Sequence, residues 1–497
     1  MKKDYILLAF LAAISYFLQA LAWPLASGRD GYSYLYYAFD FFNLKPEVAF
    51  TMLFRTPVAP FFDWALVSLL PAWGAELVMG FFFIAIILVL YRIGNFWSRR
   101  AGLIFAMLLL VHFGWGSLFH VISNDPPIAI LAPLLLWSAL SAVQSKTPWA
   151  FLLVGLLSGT LSLTRPGIFP VIGLLPFLLV RWPWRKRLAS VVAFSIPCLL
   201  LLGGWGLWNL ERHGVFAMAP GADVVLPLGR VLAQEQILRE ENGPNSKILA
   251  DAVRTSLIPK EGKNVTADEY FLLHPHYFEY MVLADQTWGP GKYSVLKGAA
   301  WEAVRAYPGK YFGGVSKTIL LSMAGNLKEP VPLRSGVRVH THKGHVSFTS
   351  DGKDQWIPIA NFDFTVPPRD DGIQAEMKKQ GPNSLRAWNL MSSFPKRDGR
   401  IFVGTVLNWL AYLFPPMLLW ILAVFLWPLG GFRLGEIDLA LLLFCGLCLG
   451  TNILASFSIW SVVYEYRLPF DPIYVLAGLI SIQRILQNYG KSKKIYS

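Results

Sequence analysis

Six ionisable residues stand where apolar segments of this chain give out: Asp30, Arg55, Asp125, Arg165, Glu465 and Arg467. Carboxylates and guanidiniums gathered at one depth suit an anionic lipid headgroup that carries a polar acceptor or donor. Arginine holds a phosphate bidentately, and a carboxylate deprotonates a hydroxyl or binds a cation. Each residue also has a plainer use. Asp30 follows Arg29 and can cap a helix beginning at Gly31. Asp125 stands just before Pro126 and Pro127, a common way to start a helix. The arginines can snorkel along a helix flank. Against snorkelling, Thr164-Arg165-Pro166 and Tyr466-Arg467-Leu468-Pro469 put the guanidinium at a broken helix end, where it must face water, protein or an anion. Gathered on one side of a membrane, these groups read as a site.

The elements that position them follow from composition. Of 497 residues, 55% are hydrophobic and only 15% charged, against about a quarter charged in a soluble domain, which indicates a polytopic membrane protein. The net charge of +13 sits in short connectors beside apolar segments. That is the positive-inside distribution, so it reports topology and gives no reason to expect a nucleic-acid partner.

A span needs about 20 apolar residues. Spans are expected near 5–26, 75–93, 101–122, 126–144, 188–209, 401–427, 437–460 and 470–486, with a shorter broken pair at 149–164 and 167–181. This makes about ten, with both termini cytoplasmic. The first segment also resembles a signal peptide, but its apolar run continues to Ala26 and is long enough to span. The aromatic run from Tyr32 to Phe42 is expected at headgroup level, followed by an interfacial helix over 57–71.

Three units result. Residues 1–209 form an N-terminal transmembrane module with first-loop interfacial helices over 27–71, and residues 401–497 form a C-terminal one. Between them, 210–400 reads as an extracytosolic soluble region, helical over 225–310 and strand-like over 333–366. The run 311–325, interrupted by Gly313, Gly314 and Lys317, reads as an interfacial or docking helix.

Cys198, Cys445 and Cys448 all fall inside apolar runs and read as core packing. His340 and His342 point to one face if 339–342 is a strand, and a Lys343-Gly344 turn can bring His345 across. That is feasible geometry for zinc, although no acidic fourth ligand stands nearby and exposed hairpin histidines without metal are commoner.

The order of these features resembles the GT-C class of membrane glycosyltransferases, which includes protein mannosyltransferases, oligosaccharyltransferase subunits and the aminoarabinose transferases of lipid A. The resemblance rests on Asp30 after the first span, the Arg55, Pro57, Pro60 turn, and Asp125 at the end of the third span. Arg165 between two short spans, the Trp208, Asn209, Gly214 exit, and Glu465, Arg467, Pro469 before the last span complete it. It covers 1–214 and 401–490.

The resemblance implies a polytopic α-helical membrane protein, GT-C-like, with about ten transmembrane helices and an extracytosolic α+β soluble region. It implies a sugar donor on a polyprenyl phosphate and a glycan, lipid or protein acceptor. Transfer would invert the anomeric carbon on the extracytosolic face of the bacterial inner membrane. Asp30 would be general base, and Asp125 would assist it or help bind a divalent cation. Arg165 and Arg467 would hold the donor phosphate, Arg55 would line the same cavity, and Glu465 with Tyr466 would bind donor or substrate beside them.

The lone Asp30 departs from the Asp-Glu pair of several branches, which leaves metal dependence open. The chemistry is consistent with the residues: a phosphate leaving group needs no protonation, so cationic stabilisation plus one base suffices. Broken short helices over 149–181 supply the irregular backbone a cavity requires. The alternative is a transporter or flippase of a lipid-linked glycan. It needs polar groups along the depth of the spans, and 75–93 and 437–456 carry none of note.

Overall fold

The computed structural model describes residues 2–22, 24–27, 31–42, 55–165, 168, 173, 182–221, 227–261, 265–275, 277–323, 339–342, 345–350, 353–358, 382–392, 435–458 and 464–495. These are mostly helical. The helices that build the site are α1 (Lys2–Ala22), α2 (Gly31–Asp40), α3 (Val58–Leu69), α4 (Ala72–Gly94), α5 (Arg99–Leu110), α6 (Asp125–Ser145), α7 (Phe151–Ser162) and α8 (Trp184–His213). Further on come α9 (Pro308–Met323), α10 (Glu436–Ser458) and α11 (Asp471–Ile495).

Among the described residues α1, α4, α6, α8 and α10 are long and apolar enough to cross a membrane. A sixth span is reached if α5 and the short helical segment Phe113–His120, bent by 68° from it, count as one. The expected spans at 167–181 and 401–427 fall almost wholly outside the described residues. α3 is a shorter apolar helix, as expected of an interfacial element. The expected continuous span over 101–122 is instead broken at Val111 and His112. No proline or glycine causes this break. His112 leaves the helix because its ring accepts from Trp115 N at 3.4 Å on one side and meets Asp471 Oδ2 at 3.1 Å on the other.

The bundle is fastened at one end by ion pairs and hydrogen bonds between neighbouring helices. Arg99 Nε and Nη2 donate to Asp4 at 2.7 and 2.6 Å, and the Tyr91 hydroxyl donates to the same carboxylate at 2.7 Å. Trp97 Nε1 and Arg484 Nη2 converge on Asp438 at 2.6 and 3.2 Å, and Lys146 faces Glu436 at 4.0 Å. The starts of α1 and α10 thus meet the ends of α4 and α6, as an up-and-down arrangement requires. Asp125, the first residue of α6, lies at the opposite end of the bundle from Lys2, Lys3 and Arg99. Small residues allow close crossings: a Cβ on Gly155 of α7 would sit 2.0 Å from Phe194 O of α8, the use of glycine typical of helices packed without water.

At the second end, Ala26–Ser27 (β1) pairs in parallel with Val121–Ile122 (β2), with Ser27 opposite Ile122. Glu76 of α4 braces this corner. It accepts from Leu25 N at 2.5 Å and from the Tyr16 hydroxyl at 2.7 Å, and meets His120 Nδ1 at 3.0 Å.

The run of helices Pro244–Ser256, Ala267–Leu273, Tyr277–Trp288 and Ser294–Ala306 builds a second core around Leu249, Tyr280 and Ala299. α9 adds Tyr311 and Val315 to that core and presents Phe312 to Phe457 of α10, ring to ring at 6.5 Å. It therefore acts as a docking helix. Farther on, Val339–His342 (β3), His345–Ser350 (β4) and Lys353–Pro358 (β5) form an antiparallel sheet in the order β3-β4-β5, with His342 opposite His345 and His340 opposite Ser347. The histidine side chains lie outside the described residues.

The three cysteines are buried, and none of them forms a disulfide. The aromatic run of α2 differs from the expected headgroup belt: Tyr34, Tyr36 and Tyr37 are buried, and Phe42 is exposed. The reason is packing. Phe41 stacks on Trp208 and Trp205 of α8 at 5.1 and 5.9 Å, which turns the aromatic face of α2 inward. The end of α8 is closed by Gly214 at φ 72°, with Asn209 Nδ2 donating to Ala217 O at 2.6 Å.

Candidate functional site

Arg165 follows the last turn of α7, two residues beyond its C-cap Leu163, and Thr164 folds back to donate to Thr160 O at 2.9 Å. This carries the guanidinium to the start of α6. Arg165 Nη2 donates to Asp125 Oδ1 at 2.5 Å and to Asn124 Oδ1 at 2.8 Å. The Tyr466 ring lies under the guanidinium carbon at 4.3 Å. Arg165 Nε is buried with no partner among the described residues.

The capping use of Asp125 does not hold. Asn124 is the N-cap of α6 and its side chain makes no cap bond. Both side chains turn to Arg165 instead, and Asp125 keeps only the favourable position of an acid in a first turn.

Arg55 enters from the segment before α3. Its Nη1 donates to the Tyr34 hydroxyl at 3.0 Å, and its guanidinium carbon lies 4.4 Å from the centroid of the same ring. Tyr34 is also a near neighbour of Arg165, so one tyrosine of α2 lies close to both arginines. Arg55, Asp125, Arg165 and Tyr466, read separately from sequence, are therefore brought together.

Arg467 follows Tyr466 directly in the chain. It is fully buried, and its Nε donates to Asp471 Oδ1 at 3.0 Å, with Asp471 Oδ2 on His112. Asp30 and the side chain of Glu465 lie outside the described residues, although the short helix Tyr464–Arg467 places the backbone of Glu465 beside Tyr466.

The sequence reading missed Asn124, Tyr34 and Asp63. Asp63 is fully buried on α3, and neither carboxyl oxygen has a hydrogen-bond partner among the described residues. Burial pushes its carboxyl well above the usual range, the neighbouring Asp125 pushes the same way, and Arg55 opposes them. The available signal was a lone acid in the apolar run VAPFFDWALVSL, since an ionisable group on such a helix is a candidate for function.

Among the described residues no three His, Cys, Asp or Glu gather to hold a metal, and Asp125 Oδ1 faces a guanidinium. The donor set among the described residues does not fit a divalent cation.

No family model matches the chain, and no curated protein matches it. Two solved structures are similar in outline: ArnT from Cupriavidus metallidurans bound to undecaprenyl phosphate, at 13% identity and TM-score 0.34, and the same protein in the apo state, at 14% and 0.32. Each match covers 96% of this chain, with 77% and 76% of the ArnT chains covered. At TM-scores this low the likeness decides neither fold nor chemistry.

Proposed function

We propose that this chain is a membrane glycosyltransferase of GT-C layout that takes a sugar from a polyprenyl-phosphate carrier and passes it to a glycan, lipid or protein acceptor. One observation carries the reading: the buried guanidinium of Arg165, stacked on Tyr466 and tied along one edge to Asp125 and Asn124, has no partner for its Nε among the described residues. A buried donor without an acceptor is costly. An anionic phosphate oxygen is the acceptor that suits an arginine. Arg55 adds a second cation through Tyr34.

In this reading Arg165 and Arg55 bind the phosphate and stabilise the charge that grows on it as the sugar leaves. Asp125 holds the fork of Arg165 in place, and Asp30 takes the proton of the acceptor hydroxyl. Arg467, with Asp471 and His112, supports the turn that presents Tyr466. The basic fastening around Arg99 is cytoplasmic under the positive-inside bias, so the site at the other end faces outward from the bacterial inner membrane. The layout of about ten spans with a soluble region over 210–400 belongs to the same reading.

Two experiments test it. Native mass spectrometry of the full chain with undecaprenyl phosphate should show a bound lipid that Arg165→Ala loses. Mass spectrometry of envelope lipids and glycans from cells with and without the chain should reveal a missing sugar. Absence of lipid-phosphate binding, or movement of a lipid-linked glycan across liposomes with no transfer, would overturn the proposal.

A further inference from the structure

Asp63 stands apart from the other acids of the site because, among the described residues, no donor hydrogen-bonds to its carboxyl. Its side chain is fully buried, and both oxygens lack a hydrogen-bond donor among the described residues. α3 packs on α2, α4 and α6, and the groups these elements bring are few. α6 brings Asp125, a like charge, and α2 brings the Tyr34 hydroxyl, which accepts from Arg55 and makes no hydrogen bond to Asp63. The carboxyl of α4 at this end, Glu76, is turned to Tyr16, Leu25 and His120. Among the described residues Arg55, on the segment that enters α3, is the cation that acts on Asp63.

An ionised carboxylate buried without donors and beside another carboxylate is strongly disfavoured. A carboxylic acid in the same place carries a proton that it can give to an acceptor, and it adds no negative charge. Neutral acids in apolar pockets serve active sites in this way, as hydrogen-bond donors to oxyanions. The acceptor that fits is the anion for which Arg55 and Arg165 are arranged, since an ionised acid there would repel it.

We propose that Asp63 is a neutral carboxylic acid that donates a hydrogen bond to the lipid phosphate bound by Arg55 and Arg165. The inference rests on the reading of the site as a lipid-phosphate pocket. The proton stays on Asp63 throughout, so no covalent step is added. As the sugar departs and charge on the phosphate rises, the hydrogen bond strengthens, which favours the transition state over the bound donor.

The test compares Asp63→Asn, Asp63→Leu and wild type as full-length protein, with undecaprenyl phosphate as the probe in native mass spectrometry and infrared difference spectra of the carboxyl region. Asn keeps a neutral donor, and it should bind within about threefold of wild type. Leu fills the same space without a donor and should bind about tenfold more weakly or worse, the loss of one hydrogen bond to a charged group. Replacing an unpaired buried polar group by an apolar one of similar size should leave the unfolding midpoint of Asp63→Leu equal to wild type or above it. A band of protonated carboxylic acid should disappear in Asp63→Asn. Equal binding by wild type and Asp63→Leu overturns the role of Asp63 alone. So does Asp63→Asn binding as weakly as Leu with its fold intact, or the lack of a protonated-acid band. A wild type that binds no lipid phosphate overturns the pocket itself.

Discussion

Arg165 and Asp125 meet at 2.5 Å across 40 residues of sequence, joining the exit of α7 to the first residue of α6. The pair is nearly buried, with side chains 10% and 16% exposed. Removing one partner leaves the other charge with little water, a loss of about 3–5 kcal/mol for fully buried pairs and somewhat less at this exposure. Asp125→Ala should therefore lower the unfolding midpoint of the purified protein clearly. Asp125→Asn, whose amide oxygen still accepts from Nη2, should lower it by less than half as much. An Asp125→Ala protein as stable as wild type would mean that the pair does not hold the site together.

Arg165→Lys probes the fork itself. An ammonium is a point charge and cannot reach Asp125, Asn124 and a bound anion together from the place of a planar guanidinium. Binding of undecaprenyl phosphate should weaken about tenfold while folding is retained. Undiminished binding in Arg165→Lys would show that only charge matters there.

The Tyr466 ring at 4.3 Å supports the same guanidinium through its face, and the ring face, not the hydroxyl, attracts the cation. Tyr466→Phe should keep lipid-phosphate binding within about twofold. Tyr466→Leu should lose about 0.5–2 kcal/mol of it, the usual strength of a cation–π contact. Equal losses in both variants would assign the effect to the hydroxyl.

Asp125, Arg165, Arg55 and Tyr466 were legible in the sequence because each stands where an apolar run stops, and a polar residue at such a stop has few neighbours that explain it. Asp63 carried a weaker signal: one acid in a twelve-residue apolar helix also reads as its wet face, and the packing of α3 against α2, α4 and α6 decides that it turns inward. Arg467 was read at a helix exit without its partner Asp471, one turn on at i+4, where such pairs form. The break after α5 had only a faint local sign, His112 accepting from Trp115 N three residues on, and its other half is His112 reaching a residue 359 positions away. The aromatics of α2 follow the composition of a headgroup belt, and it takes Trp205 and Trp208 of α8 to bury them.

Asp285, in the helical unit and away from the apolar helices, gives a pH dependence of definite sign. Burial pushes its carboxyl up to about 6 from 3.8, partly offset by Gly291 N donating at 3.2 Å. The folded state therefore holds a proton that the unfolded chain has released, and stability falls as pH rises from about 4 to about 6 and then levels. Solvent reaches part of this side chain, so the slope is shallow. Asp285→Asn should flatten the dependence of the unfolding midpoint in that window. An unchanged slope in Asp285→Asn would assign it to another group.

Arg230 locks the helical unit to the end of α10. Its Nε donates to Glu235 Oε1 at 3.0 Å, its Nη1 to Ser456 O at 2.8 Å and its Nη2 to Thr318 Oγ1 at 2.8 Å, while the Tyr311 hydroxyl donates to Phe457 O at 2.9 Å. Two carbonyls at the C-terminal end of α10 thus receive side-chain donors, groups that a helix end otherwise leaves unsatisfied. Arg230 is fully buried and Glu235 nearly so. Arg230→Met should destabilise the protein by about 3–5 kcal/mol, because it strands the Glu235 carboxylate as well as the Ser456 carbonyl. Adding Glu235→Leu should restore much of the loss, since an apolar pair of similar volume has no charge to desolvate. Because α10 leads to the turn bearing Tyr466, Arg230→Met should also weaken lipid-phosphate binding, and the double variant should recover stability without full binding. Recovery of both together would mean that the latch contributes to stability alone.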